Sequence, residues 1–300
     1  MKILVTGSRG FVGTRLIPRL EAAGHVVAGF DRDSVDICDP GAVADFVRRF
    51  SPEATAHLAA VAFVPAASKD PNLARRVNVG GTKNLIEALQ AHTSDARLLL
   101  VGSGEQYPAL EPNSPPLSED EPLAPTGPYA TTKTAAEELS REAAEEGLDV
   151  VAVRAFNHTG PGQAPDFVAP DFARQIAQIE AGASPVMRVG NLDSIRDFLH
   201  VDDVIDAYLR LLDPKVPAGV YNVASGQGTR IGTLLDTLAT LANVSPQVER
   251  DETRWRPADA RVGDARRLSD ATGWAPSRSL EQILVELLDY WRERIREEAP

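Results

Sequence analysis

A glycine-rich turn close to the start of the sequence constrains this chain more than any other feature. Residues 7–13 read GSRGFVG and stand between an apolar run at 3–5 and a helical pattern that begins at Phe11. Such a turn needs glycine for its tight bend, for close backbone approach to a pyrophosphate and for helix–strand packing. The N-terminus of the following helix then faces the phosphates. The residues predicted to bind a dinucleotide here are Gly7, Gly10, Phe11, Val12 and Gly13.

Short apolar runs alternate with helical patterns through the first half of the chain. This alternation predicts a parallel sheet with helices on both faces, an α/β doubly wound sheet of the Rossmann type. The expected strands are residues 3–5, 26–30, 55–60, 98–101 and 150–154, and the expected helices are 11–23, 40–50, 72–91 and 129–146.

The second half is less regular and predicts a smaller, discontinuous α+β substrate lobe. Helical patterns cover residues 171–181, 201–212, 231–241 and 280–295, and a strand at 220–223 is expected to rejoin the sheet. The predicted division assigns residues 1–158 plus 196–225 to a cofactor-binding domain, and 159–195 plus 226–300 to the substrate lobe. A proline-rich loop, residues 108–128, is expected to border the site as a lid.

Charge and composition restrict the possible partners. The chain carries 31 basic and 43 acidic residues, a formal net charge of −12 that disfavours nucleic acid and anionic membrane surfaces. No apolar run reaches membrane-spanning length, and the N-terminus lacks a secretory signal pattern. The single cysteine, Cys38, predicts neither an internal disulfide nor a metal site. We expect a cytoplasmic protein without a metal cofactor.

Acidic residues after the second strand bear on the choice of cofactor. Asp31 stands roughly 20 residues beyond the turn, where a carboxylate accepts hydrogen bonds from the adenosine ribose, and this slightly favours NAD. Arg32 beside it suits a 2′-phosphate, which leaves NADP open. Asp36 is expected either near the adenine or in a solvated loop.

Tyr129 and Lys133 stand four residues apart on one face of a predicted helix. A free tyrosine has a pKa of about 10. A neighbouring ammonium is expected to lower the pKa toward neutrality, so that the phenol exchanges a proton with a carbonyl oxygen. Ser103 follows the fourth strand and can bond the same oxygen, or simply cap a turn. Glu105 is a candidate base, with a loop acid as the alternative.

Taken together, the motifs resemble the extended short-chain dehydrogenase/reductase family over nearly the whole chain. They are GSRGFVG (7–13), HLAA (57–60), NVGGTKN (78–84), YATTK (129–133), RAFNHTGPGQ (154–163), RDFLHVDDV (196–204), YNVASG (221–226) and RPADARVGD (256–264). The resemblance implies Ser103, Tyr129 and Lys133 as the catalytic set, with Glu105 beside them. It adds Ile37, Leu58, Ala59, Ala60 and Asn78, together with Tyr129 and Lys133, to the cofactor-binding residues. The implied substrate-binding residues are Ser103, Glu105, Asn157, Val168, Arg174, Arg196, Arg256 and Asp259.

Within this family, residues 101–107, 171–182 and 189–198 are most similar to the GDP-sugar branch. This likeness implies NAD(P)H-dependent reduction of GDP-4-keto-6-deoxy-D-mannose to GDP-D-rhamnose, with Tyr129 as the acid. A GDP-mannose 4,6-dehydratase, a nucleotide-sugar 4-epimerase and a catalytically inert cofactor-binding regulator remain as alternatives. The arginines expected at the diphosphate suit it by their guanidinium forks, although each also fits a surface salt bridge. Relatives pair two helices across a two-fold axis, so a homodimer is expected.

The sequence also departs from the family pattern at several positions. Val61 and Ala62 replace Gln and Ser, which are frequent there and contact the sugar. Gly127 replaces the usual serine before Pro128, and Pro108 replaces a glycine after Tyr107. Sugar contacts near 61–62 and the course of the loop after 107 are therefore expected to differ.

Overall fold

The structure is a computed structural model that describes residues 1–112 and 114–298. The strands within these residues are β1 (Lys2–Thr6), β2 (Val26–Phe30), β3 (Ala54–His57), β4 (Arg97–Val101), β5 (Asp149–Ala155), β6 (Asn157–Thr159), β7 (Val186–Val189), β8 (Ile195–His200), β9 (Gly219–Val223), β10 (Gly228–Arg230), β11 (Gln247–Arg250) and β12 (Ala260–Arg261).

The helices alternate with the strands through the first half, as predicted. They are α1 (Gly13–Ala22), α2 (Pro40–Phe50), α3 (Val64–Lys69), α4 (Pro71–Arg75), α5 (Thr82–His92), α6 (Gly127–Glu145), α7 (Val168–Glu180), α8 (Val201–Leu211), α9 (Ile231–Leu241), α10 (Arg266–Thr272) and α11 (Leu280–Glu298). Local signals set several of their ends. Asp39 caps α2 by accepting hydrogen bonds from two backbone amides, and Pro40 follows at the first helical position.

The main sheet has six parallel strands in the order β2-β1-β3-β4-β5-β9, which confirms the predicted doubly wound architecture. The strand expected near residue 220 rejoins this sheet as β9, at its edge beside β5. The strand order reverses between β1 and β3, and ligands of such sheets bind at the carboxyl ends of the strands on either side of this point. The fold therefore places a ligand site beside the turn after β1.

Apolar helices cover both faces of the main sheet. One face packs against α1 and α8 through residues such as Leu16 and Val204, and the other against α2 and α5 through Val43 and Leu85. A separate core joins α7, α9 and α11 in the smaller lobe. The core of α7, α9 and α11 is thus separate from the cores on the main sheet, and the division into two domains stays a prediction.

The smaller lobe carries short sheets of its own. β8 pairs with β10 and β12, and β6 also pairs with β8, while β7 pairs with β11. The predicted boundary at residue 196 therefore falls inside β8, a strand of the smaller lobe. The chain returns to the main layer at α8, because α8 packs on the sheet core. The division into two domains remains a proposal, in which the chain passes from the smaller lobe back to the main sheet near residue 200.

The helix expected over residues 72–91 is interrupted. α4 leads into a π-helical turn, Arg76–Gly81, and α5 begins only at Thr82. At Gly81 the turn packs closely against Ile37, because a Cβ at this position would lie 2.8 Å from two Ile37 side-chain carbons. The hydrophobic period predicted one helix because a π turn widens the helix without breaking it.

The proline-rich loop does not have the predicted role of a lid. Leu110 exchanges backbone hydrogen bonds with Ala260, and the Leu117 amide donates to the Val262 carbonyl at 2.8 Å. Leu117 also packs into a small apolar cluster with Phe156. Among the described residues of this loop, none lines the main cavity of the molecule. The β12 segment holds the loop instead, a pairing that the spacing of prolines could not indicate.

Candidate active site

The glycine turn after β1 adopts the conformation that its sequence predicts. Gly7 has a φ of 69°, and a Cβ there would lie 2.9 Å from the Ala59 amide nitrogen. A Cβ at Gly13 would collide with the carbonyl oxygen of Gly7. The Gly10 amide donates to that same carbonyl at 3.0 Å and closes the turn. The result is a helix α1 whose N-terminal amides open toward a cavity.

This cavity has a volume of about 520 Å³ and joins the turn to the predicted catalytic residues. Its wall therefore brings together residues from α6 and from the segments at the ends of β1, β3 and β4, which are far apart in the sequence. The predicted site residues that line it are Gly7, Gly10, Phe11, Val12, Gly13, Leu58, Ala59, Ala60, Ser103, Glu105, Tyr129, Lys133, Asn157 and Val168.

Tyr129 occupies the first turn of α6, two residues after Gly127, whose φ is 81°. This left-handed conformation suits glycine, the residue that stands here in place of the expected serine. Burial raises the pKa of Tyr129 to about 12. A hydrogen bond with the Ser103 side chain opposes this rise, and the charge of Glu105 adds to it. The phenol is thus a neutral proton donor at physiological pH.

The expectation that Lys133 lowers the Tyr129 pKa toward neutrality is wrong for this structure. The Lys133 ammonium donates to the Val101 carbonyl oxygen at 2.8 Å, so it is held at the end of β4. Desolvation dominates at both side chains because the ionised form is disfavoured in a buried site. Burial lowers the pKa of Lys133 to about 8. The pair therefore consists of a protonated phenol and an ammonium group that loses its proton more readily than a free lysine does.

Glu105 lies in a cluster of two carboxylates and two arginines at one end of the cavity. Its Oε2 lies 3.3 Å from Arg261 Nη1, and its Oε1 lies 3.9 Å from Arg196 Nε. Asp259 Oδ1 binds Arg196 Nη2 at 2.7 Å, and Asp259 also contacts Arg261 at 2.5 Å. Opposite charges balance within this cluster, so it orients these side chains without presenting a net charge.

The structure places three of the predicted substrate-binding arginines outside the cavity wall. Arg174 pairs with the buried Asp171 at 3.0 Å. Arg256 is exposed and donates to the carbonyls of its neighbours Thr253 and Trp255. Arg196 belongs to the cluster around Glu105. These contacts match the salt-bridge alternative for Arg174 and Arg196, and the roles of all three in substrate binding stay predictions.

The residues expected around adenosine lie after β2, as predicted. Asp31 accepts a hydrogen bond from the Asp33 amide at 3.0 Å and lies 3.4 Å from Arg9 Nε. The Arg32 side chain is 92% exposed and lies 3.7 Å from Asp33. Asp31 thus faces the exposed Arg9 of the glycine turn, so this surface carries a carboxylate and guanidinium groups.

Three further predicted cofactor residues, Asp36, Ile37 and Asn78, are not among the residues that line the cavity. Asp36 accepts a hydrogen bond from the Cys38 amide at 2.9 Å, and Ile37 is buried in the core. Asn78 Oδ1 accepts a hydrogen bond from the Val61 amide at 2.7 Å, and Asn78 Nδ2 donates to Thr132 Oγ1 at 3.0 Å. Asn78 therefore ties the segment after β3 to helix α6, which holds Tyr129.

Sequence reasoning missed several cavity residues. Three residues of the cavity wall each have a buried polar atom without a hydrogen-bond partner among the described residues: Thr159 Oγ1, Gln163 Oε1 and the Tyr208 hydroxyl. Unpaired polar atoms are costly, and because these three have almost no accessible area, their side chains would have to move before a ligand could reach them. Arg261 and Gln163 stand inside quoted motifs, whereas nothing in the sequence around Tyr208 marks it.

The described residues contain neither a membrane-spanning helix nor a cluster of metal-binding side chains. No helix among residues 1–112 and 114–298 is long and apolar enough to cross a membrane. The same residues contain no group of three or more histidine, cysteine, aspartate or glutamate side chains placed to hold a metal ion.

A sequence-family comparison assigns the class to which this fold and site belong. The family described as NAD dependent epimerase/dehydratase matches residues 3–224, and the chain belongs to it. The resemblance to extended short-chain dehydrogenases/reductases is thereby confirmed, as is the dependence on NAD or NADP that the glycine turn predicts.

Two relatives and one solved structure show which members of the family this chain is similar to. The chain is 39% identical over 302 residues to GDP-6-deoxy-D-mannose reductase of Pseudomonas aeruginosa, covering 99% of each chain. It is 30% identical to a UDP-glucose 4-epimerase of Mycolicibacterium smegmatis, covering 98% of this chain and 99% of the other. Among solved structures, RMD from Pseudomonas aeruginosa complexed with NADPH superposes with a TM-score of 0.89 at 38% identity, covering 98% of this chain and 99% of that one.

Proposed function

We propose that this protein reduces the 4-keto group of GDP-4-keto-6-deoxy-D-mannose with NAD(P)H and yields GDP-D-rhamnose. The observation that carries the reaction type is the convergence of Ser103, Tyr129 and Lys133 on one cavity with the glycine turn. The substrate class is carried by the 39% identity to GDP-6-deoxy-D-mannose reductase, which extends over 99% of both chains.

The cavity residues fit a dinucleotide. The Gly7–Gly13 turn brings backbone amides and the N-terminus of α1 to the cavity, where a pyrophosphate is stabilised. Asp31 supplies a ribose acceptor, and Lys133 reaches the cavity from α6. A bound reduced nicotinamide supplies the hydride that the carbonyl carbon accepts.

Tyr129 provides the proton in the proposed mechanism. As the carbonyl carbon gains hydride, the π electrons of the C=O bond move to oxygen, which takes the phenolic proton of Tyr129. Ser103 lines the same cavity as Tyr129 and is proposed to donate a hydrogen bond to the same oxygen. Lys133 places a positive charge on the wall of the same cavity, where negative charge develops on oxygen, and solvent protonates Tyr129 again before the next turnover.

The sugar nucleotide is proposed to lie between the catalytic residues and α7. Asn157 and Val168 line this part of the cavity, and the buried Arg261 lines it beside Glu105. Arg174, Arg196, Arg256 and Asp259 lie at or beyond its edge, so their contact with the GDP group is proposed to require a shift of their side chains when the sugar nucleotide binds.

A dehydratase is the second candidate, because it needs a base near carbon 5 and Glu105 lies in the cavity. The contacts of Glu105 favour the reductase. Both of its carboxylate oxygens face guanidinium groups, of Arg196 and Arg261. A carboxylate engaged in this way is better suited to orienting a sugar than to removing a proton from carbon.

The test uses purified protein, GDP-4-keto-6-deoxy-D-mannose and NADPH or NADH, with absorbance followed at the reduced nicotinamide band. Consumption of the cofactor that depends on the sugar, with GDP-D-rhamnose identified by NMR, supports the proposal. Conversion of GDP-mannose without added NAD(P)H points to the dehydratase instead. Inversion at carbon 4 without net cofactor consumption points to an epimerase, and cofactor binding without any turnover points to a regulator.

The protein is further proposed to act as a cytoplasmic homodimer. Val64 on α3 and Leu73 on α4 are apolar side chains that remain exposed beside α6. Pairing these helices with those of a second copy would cover them. Light scattering coupled to size exclusion tests the dimer, and a monomer mass at micromolar concentration contradicts it.

A further inference from the structure

A buried chain of hydrogen bonds joins the loop after β4 to the catalytic helix α6. The Ser103 amide donates to Gln106 Oε1 at 2.8 Å, and Gln106 Nε2 donates to Glu137 Oε2 at 2.7 Å. Glu137 lies on α6 one turn beyond Lys133 and two turns beyond Tyr129. The chain thus connects Ser103 to the element that holds its partner phenol through side chains that are almost fully buried.

Glu137 is itself fixed by a buried ion pair. Arg154 Nη2 donates to Glu137 Oε1 at 2.6 Å, and Arg154 Nε donates to Oε2 at 3.1 Å. The remaining nitrogen, Arg154 Nη1, donates to the Tyr107 hydroxyl at 2.8 Å. Because Arg154 lies on β5, the carboxylate of Glu137 is anchored to the sheet and not only to its own helix.

The space around Gln106 leaves its amide little freedom. A Cβ at Gly102 would lie 2.5 Å from Gln106 Oε1 and 2.8 Å from the Val153 carbonyl oxygen. The Gly102 amide in turn donates to that carbonyl at 2.6 Å. Gln106 can therefore reach the Ser103 amide only because Gly102 has no side chain, and the loop has a single well-defined position against β5.

We propose that Gln106 and Glu137 are positioning residues that set the Ser103 hydroxyl at its working distance from Tyr129. This inference rests on the proposed reductase function. Ser103 and Tyr129 belong to separate elements, so their relative placement needs a rigid connection. Neither Gln106 nor Glu137 is among the described residues that line the cavity, so they act through Ser103 rather than on the substrate.

The central test is the Gln106→Met variant, which keeps the side-chain length and removes both hydrogen bonds. We expect kcat for the keto sugar to fall about 10- to 100-fold, since small displacements of catalytic groups have effects of this size. KM and Kd for NADPH should stay within about twofold of wild type, because the glycine turn is untouched. Equal losses in kcat and in NADPH affinity would overturn the inference.

A double-variant cycle separates positioning from a general structural role. If Gln106 acts through Ser103, the variant Ser103→Ala with Gln106→Met should be no slower than Ser103→Ala alone. Losses that multiply overturn the proposal. Gln90→Met is the matched control, because Gln90 also donates to a glutamate, Glu146, at 2.8 Å on an exposed surface. It should leave kcat unchanged.

Two measurements keep the inference testable if expression or activity is poor. Gln106→Asn retains an amide that is one methylene too short, and it should lose kcat with a melting temperature near wild type. A crystal structure of either variant should show Ser103 Oγ displaced from the Tyr129 hydroxyl, and an unmoved Ser103 overturns the inference. This readout needs no turnover, so it stays separate from the failure of the wild-type protein to reduce the keto sugar.

Discussion

Tyr129 and Lys133 illustrate how burial reverses an expectation based on spacing alone. A spacing of four residues places the two side chains on one helix face. In the folded protein, however, the pKa of the phenol rises to about 12 and the pKa of the ammonium falls to about 8. Both shifts favour the neutral form, as a buried environment requires. The geometry thus provides a proton donor for reduction and a cation whose charge depends on the pH of the assay.

Replacing the phenol tests the proton donor directly. We expect Tyr129→Phe to lose about 10²- to 10⁴-fold in kcat, the usual contribution of general acid catalysis. NADPH affinity should be retained, because only a hydroxyl is removed. Steady-state kinetics and a cofactor titration by fluorescence measure the two quantities. Near-full activity in Tyr129→Phe would show that another group supplies the proton.

The charge of Lys133 predicts a pH dependence of reduction. The protonated amine places a positive charge on the cavity wall, where negative charge develops during reduction, and burial lowers the pKa of Lys133 to about 8. The charge is therefore present below this pH and lost above it, so kcat should fall as the pH rises through about 8. Lys133→Arg keeps its charge throughout this range and should remove the fall, although at a lower plateau, since arginine differs in shape. A wild-type profile that is flat between pH 7 and 9.5 contradicts this role.

At the scale of elements, the glycine turn and helix α1 behave as the sequence predicted. Thr6 ends β1, Gly7 takes a positive φ, and α1 begins at Gly13. The π-helical turn at Arg76–Gly81 was not predicted, because its apolar pattern is compatible with a continuous helix. The loop at 108–128 was also placed wrongly, since its partner strand β12 lies far along the chain.

The turn also provides a prediction for a single added methyl group. In Gly13→Ala the new Cβ would collide with the Gly7 carbonyl and lie 2.8 Å from the Ser8 carbonyl oxygen. Since both contacts are backbone, the turn must shift, and we expect NADPH affinity to fall by at least about tenfold. Gly24→Ala is the matched control, because a Cβ at Gly24 meets nothing within 4 Å. Gly24 has a φ of 84°, so that variant should lose some stability and keep its cofactor affinity. Equal NADPH affinity in the two variants contradicts the prediction.

At the scale of the whole molecule, the cavity joins the sheet layer to the smaller lobe. Tyr129 and the glycine turn come from the first layer, and Val168 on α7 comes from the second. A ligand that contacts both should stabilise the native state as a unit, because binding to the folded state alone shifts the unfolding equilibrium.

Thermal unfolding tests this coupling. At NADPH one hundred times its Kd, binding should add about 2.7 kcal/mol to the free energy of unfolding. For a chain of this size we expect the melting temperature to rise by roughly 4–5 °C. Gly13→Ala at the same NADPH concentration should show a smaller rise. Two separate transitions, of which only one responds to NADPH, would show that the lobes unfold independently.

The sequence by itself determined the doubly wound sheet, the glycine turn, and the positions of Tyr129, Lys133 and Ser103. These features depend on local spacing and on short-range backbone requirements, which the order of residues expresses directly. Only the tertiary structure decided the direction of the Tyr129 pKa shift, the pairing of Glu105 with Arg261, and the link from Ser103 to Glu137. Burial and contacts between distant segments arise when the chain packs, so no pattern of spacing could have shown them.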